Sequence, residues 1–270
     1  MRHGWLGLAL VAVFWWLNWS LDGLRTHWGF FPMWLGYVLF VDGLTWKLRG
    51  SSLFTRSRRG FVLTFLVSMP VWWMFELFNM RLGNWEYLGR ERFGDVEYFL
   101  LSSLSFSTVL PAVLGTAELV RGTKWIERFA HGPRIAPSPL RYIGSWLAGA
   151  VMLAAMLAWP RYGYPLLWVS GVFLLEPVCM LLGRRSLLFD LQRGDWRPWV
   201  SLWTGVLICA FFWEMWNFRS YPKWIYHVPG VGFGKVFEMP VLGYLGYLPF
   251  SLELWLLAHL LLPRGLSLRL

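Results

Sequence analysis

The sequence Glu76-Leu-Phe-Asn79-Met-Arg81 returns 138 positions later as Glu214-Met-Trp-Asn217-Phe-Arg219. Each copy is followed by a Trp-x-Tyr sequence, Trp85 to Tyr87 and Trp224 to Tyr226. Both copies stand at the C-terminal end of a long apolar run. Ionisable side chains are costly in such a run and therefore indicate a specific role. These two sites are the basis of the functional prediction.

The composition indicates a membrane protein. Of the 270 residues, 57% are hydrophobic and only 15% are charged, whereas a soluble domain of this size carries about 25% charged residues. Aromatic residues make up 19%, including 21 tryptophans. Two interfacial belts do not need so many rings. We therefore expect some of the rings to line the interior of the protein.

Apolar runs of about 20 residues, the length that crosses a bilayer as a helix, divide the chain into about eight predicted spans. Their limits are 4–21, 28–46, 60–78, 97–120, 141–159, 164–183, 198–218 and 236–262. The fold class expected is therefore an all-α polytopic membrane protein.

The net charge of +10 follows the predicted topology and does not indicate nucleic-acid binding. Arginines and lysines concentrate after the second, fourth and sixth spans and at the C-terminus, with the groups starting at Lys47, Arg121, Arg184 and Arg264. By the positive-inside rule these loops and both termini are cytoplasmic. We expect an integral protein of a bacterial or archaeal plasma membrane.

The duplication extends beyond the opening motif. Trp34 and Asp42 in the second span correspond to Trp168 and Glu176 in the sixth, 134 positions later. The chain is therefore predicted to consist of two homologous halves, residues 1–130 and 131–270, with about four helices each. An even number of spans gives both halves the same orientation, so the repeat is parallel.

The acids inside the spans are the candidate functional groups. Glu76 and Asn79 are three residues apart and share one helix face, as do Glu214 and Asn217. We expect Glu76, Glu214 and Glu253 to be catalytic acids. The residues expected to bind substrate are Asn79, Arg81, Trp85, Asn217, Arg219, Trp224, Asp42 and Glu176. The alternative is structural: buried glutamates, hydrogen-bonded by Asn and Arg, would lock two equivalent helices together.

No metal or cofactor site is expected. The sequence has no His-x-x-x-His or Cys-x-x-Cys spacing, no phosphate-binding glycine loop and no dinucleotide fingerprint. The expected partners are the lipid bilayer and an apolar lipid or isoprenoid ligand.

The spacing Glu76, Gly83-x-Trp85-x-Tyr87 and Gly94 resembles the integral membrane lycopene cyclase domain of carotenoid biosynthesis. The segment Gly246-Tyr-Leu248-Pro249-Phe-Ser-Leu-Glu253 is similar to the Leu-Pro-acid segment of that family. The spacing departs from the family, because Glu253 comes four residues after Pro249 and the family has acids two and three residues after its proline. The family half also has about three spans, whereas four are predicted here.

The resemblance implies a helical bundle of two homologous halves that cyclises or isomerises an isoprenoid without a cofactor. Protonating an isoprenoid needs a carboxylic acid kept neutral in a dry site, and tryptophan faces stabilise the resulting carbocation. Two further hypotheses stay open from the sequence. One is a transporter or channel with an acidic seam between the repeats, and the other is a structural membrane protein.

Overall fold

A computed structural model describes residues 2–23, 26–136, 138–264 and 269–270. In this part of the chain, the first six helices are α1 (Arg2–Ser20), α2 (Thr26–Arg49), α3 (Leu53–Arg56), α4 (Arg58–Leu82), α5 (Asp95–Phe106) and α6 (Val109–Arg121). The other six are α7 (Pro139–Ala158), α8 (Pro160–Gly163), α9 (Leu166–Leu181), α10 (Leu187–Gln192), α11 (Arg197–Phe218) and α12 (Tyr247–Leu261). Short 3-10 helices cover Arg90–Arg92, Lys124–Phe129 and Val241–Gly246. The prediction of a largely helical protein is confirmed.

Five helical segments among the described residues are long and apolar enough to cross a membrane: Arg58–Leu82, Asp95–Arg121, Pro139–Ala158, Arg197–Phe218 and Val241–Leu261. They cover the third, fourth, fifth, seventh and eighth predicted spans. The other three predicted spans are helical as well, as α1, α2 and α9. Of these, α9 is a shorter apolar helix of 16 residues.

The apolar helices expose large hydrophobic side chains over their outer surfaces. Leu77 and Met80 of α4 are 67% and 84% exposed, and Val151 of α7 is 68% exposed. Contiguous apolar surface of this kind is unfavourable in water and favourable against lipid. These faces therefore suit contact with acyl chains.

The fold differs from the all-α expectation by four short strands, β1 (Trp85–Leu88), β2 (Lys223–Tyr226), β3 (Lys235–Val236) and β4 (Met239–Pro240). β1 pairs with β2 and β3 pairs with β4, both antiparallel. β1 and β2 are the Trp-x-Tyr sequences that follow the two motif copies. We call this pair the β1–β2 ribbon.

The described ends of the chain lie at the same end of the bundle, opposite the ribbon. Arg49, the last residue of α2, donates to the backbone oxygens of Glu118 (3.3 Å) and Arg269 (3.0 Å). His3 of α1 lies 3.1 Å from Asp42. Arg56 forms a bidentate ion pair with the buried Glu118, with distances of 2.7 and 2.8 Å.

Aromatic side chains from several helices form much of the core. Trp34 of α2 packs against Trp213 and Trp216 of α11, with ring centroids 5.2 and 5.0 Å apart. Phe75 of α4 stacks on Trp168 of α9 at 5.5 Å. Such pairs contribute about 0.5–1.5 kcal/mol beyond the burial of their area.

The backbones of α6 and α11 approach each other closely where Gly205 faces Ala117. A Cβ atom added to Gly205 would lie 2.7 Å from the Ala117 nitrogen and 2.8 Å from its Cα. Only a residue without a side chain fits at this distance. Small residues at crossing points are a typical way for membrane helices to pack.

Replacing Gly205 by alanine is expected to separate α6 from α11 and to cost about 1–3 kcal/mol, the usual penalty for overpacking. The measurement is the thermal unfolding midpoint in detergent. Gly144→Ala is the matched control, since nothing lies within 4 Å of the added Cβ in α7. Equal midpoints for the two variants would contradict the close approach.

Candidate functional site

The ribbon brings the two motif copies together. Its register pairs Trp85 with Tyr226 and Tyr87 with Trp224, around the central pair of Glu86 and Ile225. The tryptophan of each copy therefore faces the tyrosine of the other. Gly83 lets the chain turn from α4 into β1, because it adopts a left-handed φ of 62° that favours glycine.

Each motif asparagine fixes one strand to the end of its helix. Asn79 donates from Nδ2 to the Trp85 oxygen (2.7 Å), and its Oδ1 accepts from the backbone nitrogens of Asn84 (2.9 Å) and Trp85 (3.2 Å). Asn217 donates to the Trp224 oxygen (2.7 Å) and accepts from the Trp224 nitrogen (2.9 Å). Both amides therefore satisfy backbone groups that the ribbon's own ladder does not reach.

Glu76 is bound by aromatic side chains. Its Oε1 accepts from Trp72 Nε1 at 2.8 Å, from Trp85 Nε1 at 3.1 Å and from the Tyr87 hydroxyl at 2.6 Å. The asparagine and arginine partners expected from the sequence are replaced by two indoles and a phenol.

Glu214 has a similar environment and is fully buried. Its Oε1 accepts from the hydroxyls of Tyr226 (2.7 Å) and Tyr247 (2.9 Å). Trp224 Nε1 donates to the Tyr226 hydroxyl at 2.9 Å, which joins it to the same network. The second oxygen, Oε2, has no hydrogen-bond partner among the described residues.

The tyrosines of the ribbon stay protonated at neutral pH. Burial raises the pKa of Tyr87 well above its usual value, and the Glu76 carboxylate raises it further. Burial and then Glu214 do the same for the pKa of Tyr226. Both hydroxyls are therefore donors to their glutamates.

A cavity of about 230 Å³ lies beneath the ribbon and between the predicted halves. Its aromatic lining is Phe30, Trp72, Trp85, Tyr87, Phe93, Tyr98, Phe106, Tyr164, Trp168, Trp213, Trp224, Tyr226, Tyr247 and Phe250. Glu76 and Glu214 are outside this lining. They reach the cavity through the tyrosines and tryptophans that bind them.

The two arginines of the motif point elsewhere. Arg81 donates from Nε to the Leu157 oxygen of α7 at 3.1 Å. The Arg219 guanidinium lies 5.7 Å from the centre of the Trp19 ring. Both residues are exposed. Neither arginine lines the cavity. They could bind a substrate, as the sequence predicts, only if the substrate extended beyond the cavity.

Asp42 and Glu176 anchor short helices instead of lining the cavity. Asp42 accepts from Ser52 Oγ (2.6 Å) and from the Phe54 nitrogen (3.0 Å), at the start of α3. Glu176 accepts from Ser186 Oγ and from the nitrogens of Leu187 and Leu188, at the start of α10. Carboxylates are favourable at these positions because the first helical N–H groups have no partner within the helix.

Glu253 is buried in α12 and packs against α9. A Cβ atom added to Gly171 of α9 would overlap the Glu253 carboxylate. The Glu253 carboxylate therefore occupies space that is free only because residue 171 is glycine. Its Oε2 has no hydrogen-bond partner in the described part of the chain. Phe250, one turn earlier on α12, lines the cavity. Glu253 therefore lies one helical turn away from the cavity lining.

Comparisons with protein-family models, with curated proteins and with solved structures find no match to this chain. In residues 2–23, 26–136, 138–264 and 269–270, no group of three or more His, Cys, Asp or Glu side chains is arranged to hold a metal ion.

Sequence reasoning missed Trp72 and Tyr247 as glutamate partners. Trp72 precedes Glu76 by four residues and so shares its helix face, which is a signal that could have been used. Tyr247 lies 33 residues from Glu214 and has no counterpart in the first motif copy. Only the folded chain brings it to the site.

Replacing Asn217 by alanine is expected to leave the Trp224 N–H and C=O without partners and to cost about 1–3 kcal/mol. Asn217→Asp keeps the acceptor but places a buried carboxylate oxygen against the Trp224 carbonyl oxygen, so its loss should be at least as large. The measurement is the unfolding midpoint in detergent. Glu86→Gln, at a half-exposed position on the ribbon, is the control and should change little. A wild-type midpoint for Asn217→Ala would contradict the anchoring role.

Proposed function

We propose that this chain is an integral membrane enzyme of two parallel repeats, residues 1–130 and 131–270, with about eight membrane helices. The register of the ribbon supports two repeats. Trp85 pairs with Tyr226 and Tyr87 pairs with Trp224, so residues 139 positions apart lie symmetrically on either side of the Glu86–Ile225 pair. The matching bonds of Asn79 and Asn217 support it as well. An axis normal to the membrane would then relate the halves.

The orientation we propose has both termini in the cytoplasm of a bacterium or archaeon and the ribbon at the outer face. The described ends of the chain lie beside Arg49 and Arg56. Basic residues at one end of the bundle follow the positive-inside rule.

The proposed activity is proton transfer to and from the double bonds of an isoprenoid, as the resemblance to membrane lycopene cyclases implies. The observation that carries it is the aromatic cavity behind which Glu76 and Glu214 are hydrogen-bonded to lining tyrosines. Aromatic faces stabilise a carbocation without trapping it, which nucleophilic side chains would do. An isomerisation requires an acid and a base that can both exchange protons with one substrate.

The reaction step needs no oxidant and no cofactor. One glutamic acid delivers a proton through its tyrosine, and the π electrons of the substrate form the new C–H bond. A second double bond of the substrate attacks the carbon that carries the positive charge, which closes a ring and moves the charge to the other carbon of that double bond. Loss of a C–H proton through the other tyrosine to the second glutamate restores a double bond, so the net change is an isomerisation.

A structural role is the second candidate, because the same bonds hold the ribbon in place. Glu76 fixes three aromatic side chains and Glu214 fixes two. Transport is less well supported, since the cavity and the motif are at one end of the bundle and transporter sites typically lie near the midplane.

The test is deuterium uptake from D₂O into isoprenoids incubated with the protein in nanodiscs. The probes are lycopene and the apolar molecules that co-purify with the protein, followed by mass spectrometry. Wild-type protein should yield deuterated isomers. Glu76→Gln and Glu214→Gln should reduce the rate by about 10²–10⁴-fold, the usual contribution of general acid–base catalysis.

Tyr87→Phe and Tyr226→Phe should also slow deuterium uptake, because each removes a relay hydroxyl and keeps the ring. Glu86→Gln is the matched control, a glutamate on the ribbon that does not line the cavity. Only phospholipid in the co-purified fraction, together with no deuterium uptake by any probe, would reject the enzyme. A loss of monodisperse protein in both glutamine variants would favour the structural role.

A further inference from the structure

One wall of the cavity is a short helical segment whose other side is apolar and exposed. The 3-10 helix Val241–Gly246 begins a segment that is long and apolar enough to cross a membrane. Gly243 and Gly246 line the cavity, whereas Leu242 and Leu245 are 48% and 61% exposed. We call this segment the Val241–Gly246 wall. One layer of backbone therefore separates the cavity from a surface that suits acyl chains.

A methionine side chain fills the space that a glycine leaves in this wall. A Cβ atom added to Gly243 would overlap the Met239 Sδ atom, so the Met239 side chain lies across Gly243. Met239 is buried and lines the cavity. The closure of the wall at this point therefore depends on one flexible side chain.

The corresponding wall of the first proposed repeat is fixed to a long helix. At the offset of 138, Ser105 of α5 corresponds to Gly243, and both residues line the cavity. Trp73 of α4 donates from Nε1 to Ser103 Oγ of α5 at 2.9 Å. The Trp73 ring also stacks on Phe99, with centroids 5.2 Å apart. α5 is therefore held against α4.

The Val241–Gly246 wall is held less firmly. Apart from its continuation into α12, its hydrogen bonds among the residues that the structure describes lead to the adjoining β3–β4 hairpin. The Tyr244 hydroxyl donates to the Val236 oxygen (3.3 Å), and the Val241 nitrogen donates to the Gly234 oxygen (3.0 Å). Segments with few anchoring interactions open at a lower cost in free energy. Of the two walls, this one is therefore the easier to displace.

We propose that an uncharged hydrocarbon ligand enters and leaves the cavity sideways from the bilayer through the Val241–Gly246 wall, with Met239 as the movable side chain that closes it. Methionine is unbranched and flexible, so Met239 can turn away from Gly243 without repacking the long helices. An apolar ligand then reaches the aromatic rings without crossing water, which is favourable. This inference rests on the proposed function for the class of its ligand and adds the route that the ligand takes.

Entry is measured on a reporter cysteine, Ser105→Cys, in protein reconstituted in nanodiscs. Two reagents with the same reactive group are compared: dodecyl methanethiosulfonate, which stays in the bilayer, and sulfonatoethyl methanethiosulfonate, which stays in water. Mass spectrometry gives the rate of modification. Cys179 and Cys209 are buried and lie outside the cavity lining, and protein without the reporter gives the background. The dodecyl reagent should modify the reporter.

Met239→Ala should speed modification by the dodecyl reagent by about tenfold or more, because a buried side chain no longer has to be displaced. The matched control is Leu101→Ala, which shortens a cavity-lining side chain of α5 by the same number of heavy atoms. This control should leave the rate unchanged. The rate with the sulfonate reagent should not change in either variant, which shows that the reporter is equally reactive.

Gly243→Val should slow modification by the dodecyl reagent by about tenfold, because the added branched side chain meets Met239 and thickens the wall. The double variant Met239→Ala/Gly243→Val should return toward the parent rate. Gly144→Val, where nothing lies within 4 Å of the added Cβ, is the matched control and should keep the parent rate.

Modification by the dodecyl reagent that ignores both Met239→Ala and Gly243→Val would overturn this route. So would an equal acceleration in Leu101→Ala, or no modification by the dodecyl reagent above the background. Deuterium uptake by an isoprenoid in any of these cases would leave the proposed enzyme intact. Rates that follow the wall variants without deuterium uptake would support the route and reject the catalysis.

Discussion

The hydrogen bonds of Asn79 and Asn217 are the constraint on which the arrangement of the site depends. A two-stranded ribbon of four residues a side is marginal by itself. The backbone N–H and C=O groups that point away from the partner strand would lack hydrogen bonds beside an apolar bundle, which is energetically costly. Each asparagine presents a donor and an acceptor in one plane, so it completes the ladder where the partner strand cannot. The ribbon is thereby held to the ends of α4 and α11.

Once the ribbon is fixed, the positions of its aromatic side chains follow from strand geometry. Alternate residues of a strand point to the same face, so Trp85 and Tyr87 face the cavity together, as do Trp224 and Tyr226. The exposed Glu86 occupies the opposite face. The glutamates one helical turn before the asparagines then meet the tyrosine hydroxyls. Asparagine, aromatic pair and glutamate therefore form one unit, and this explains why they recur together in the sequence.

The sequence predicted the long helices, because apolar length is a property of a short stretch. The ribbon could not be predicted in the same way. Its strands are only four residues long, and each strand's partner lies more than 130 positions away. The roles of Asp42 and Glu176 could not be predicted either. The sequence shows that the two acids are at equivalent positions, but it does not show the short helices whose first residues they bind. Partners such as Tyr247 depend on tertiary packing alone.

The two motif copies are alike in sequence, but the residues that surround them differ. At the offset of 138, Gly205 and Ala117, which bring α6 against α11, correspond to Val67 and Trp255.

The bulkier Val67 and Trp255 cannot allow the same approach between α4 and α12. Elsewhere along these two helices the contact is between large rings, with the centroids of Phe75 and Phe250 5.4 Å apart.

The partners of the two glutamates differ in the same way. Trp72, which binds Glu76, corresponds to Ala210, and Tyr247, which binds Glu214, corresponds to Val109. The two carboxylates therefore share a frame but have different donors, two indoles and a phenol against two phenols. Inequivalent surroundings of this kind are how proteins give two carboxyl groups different properties.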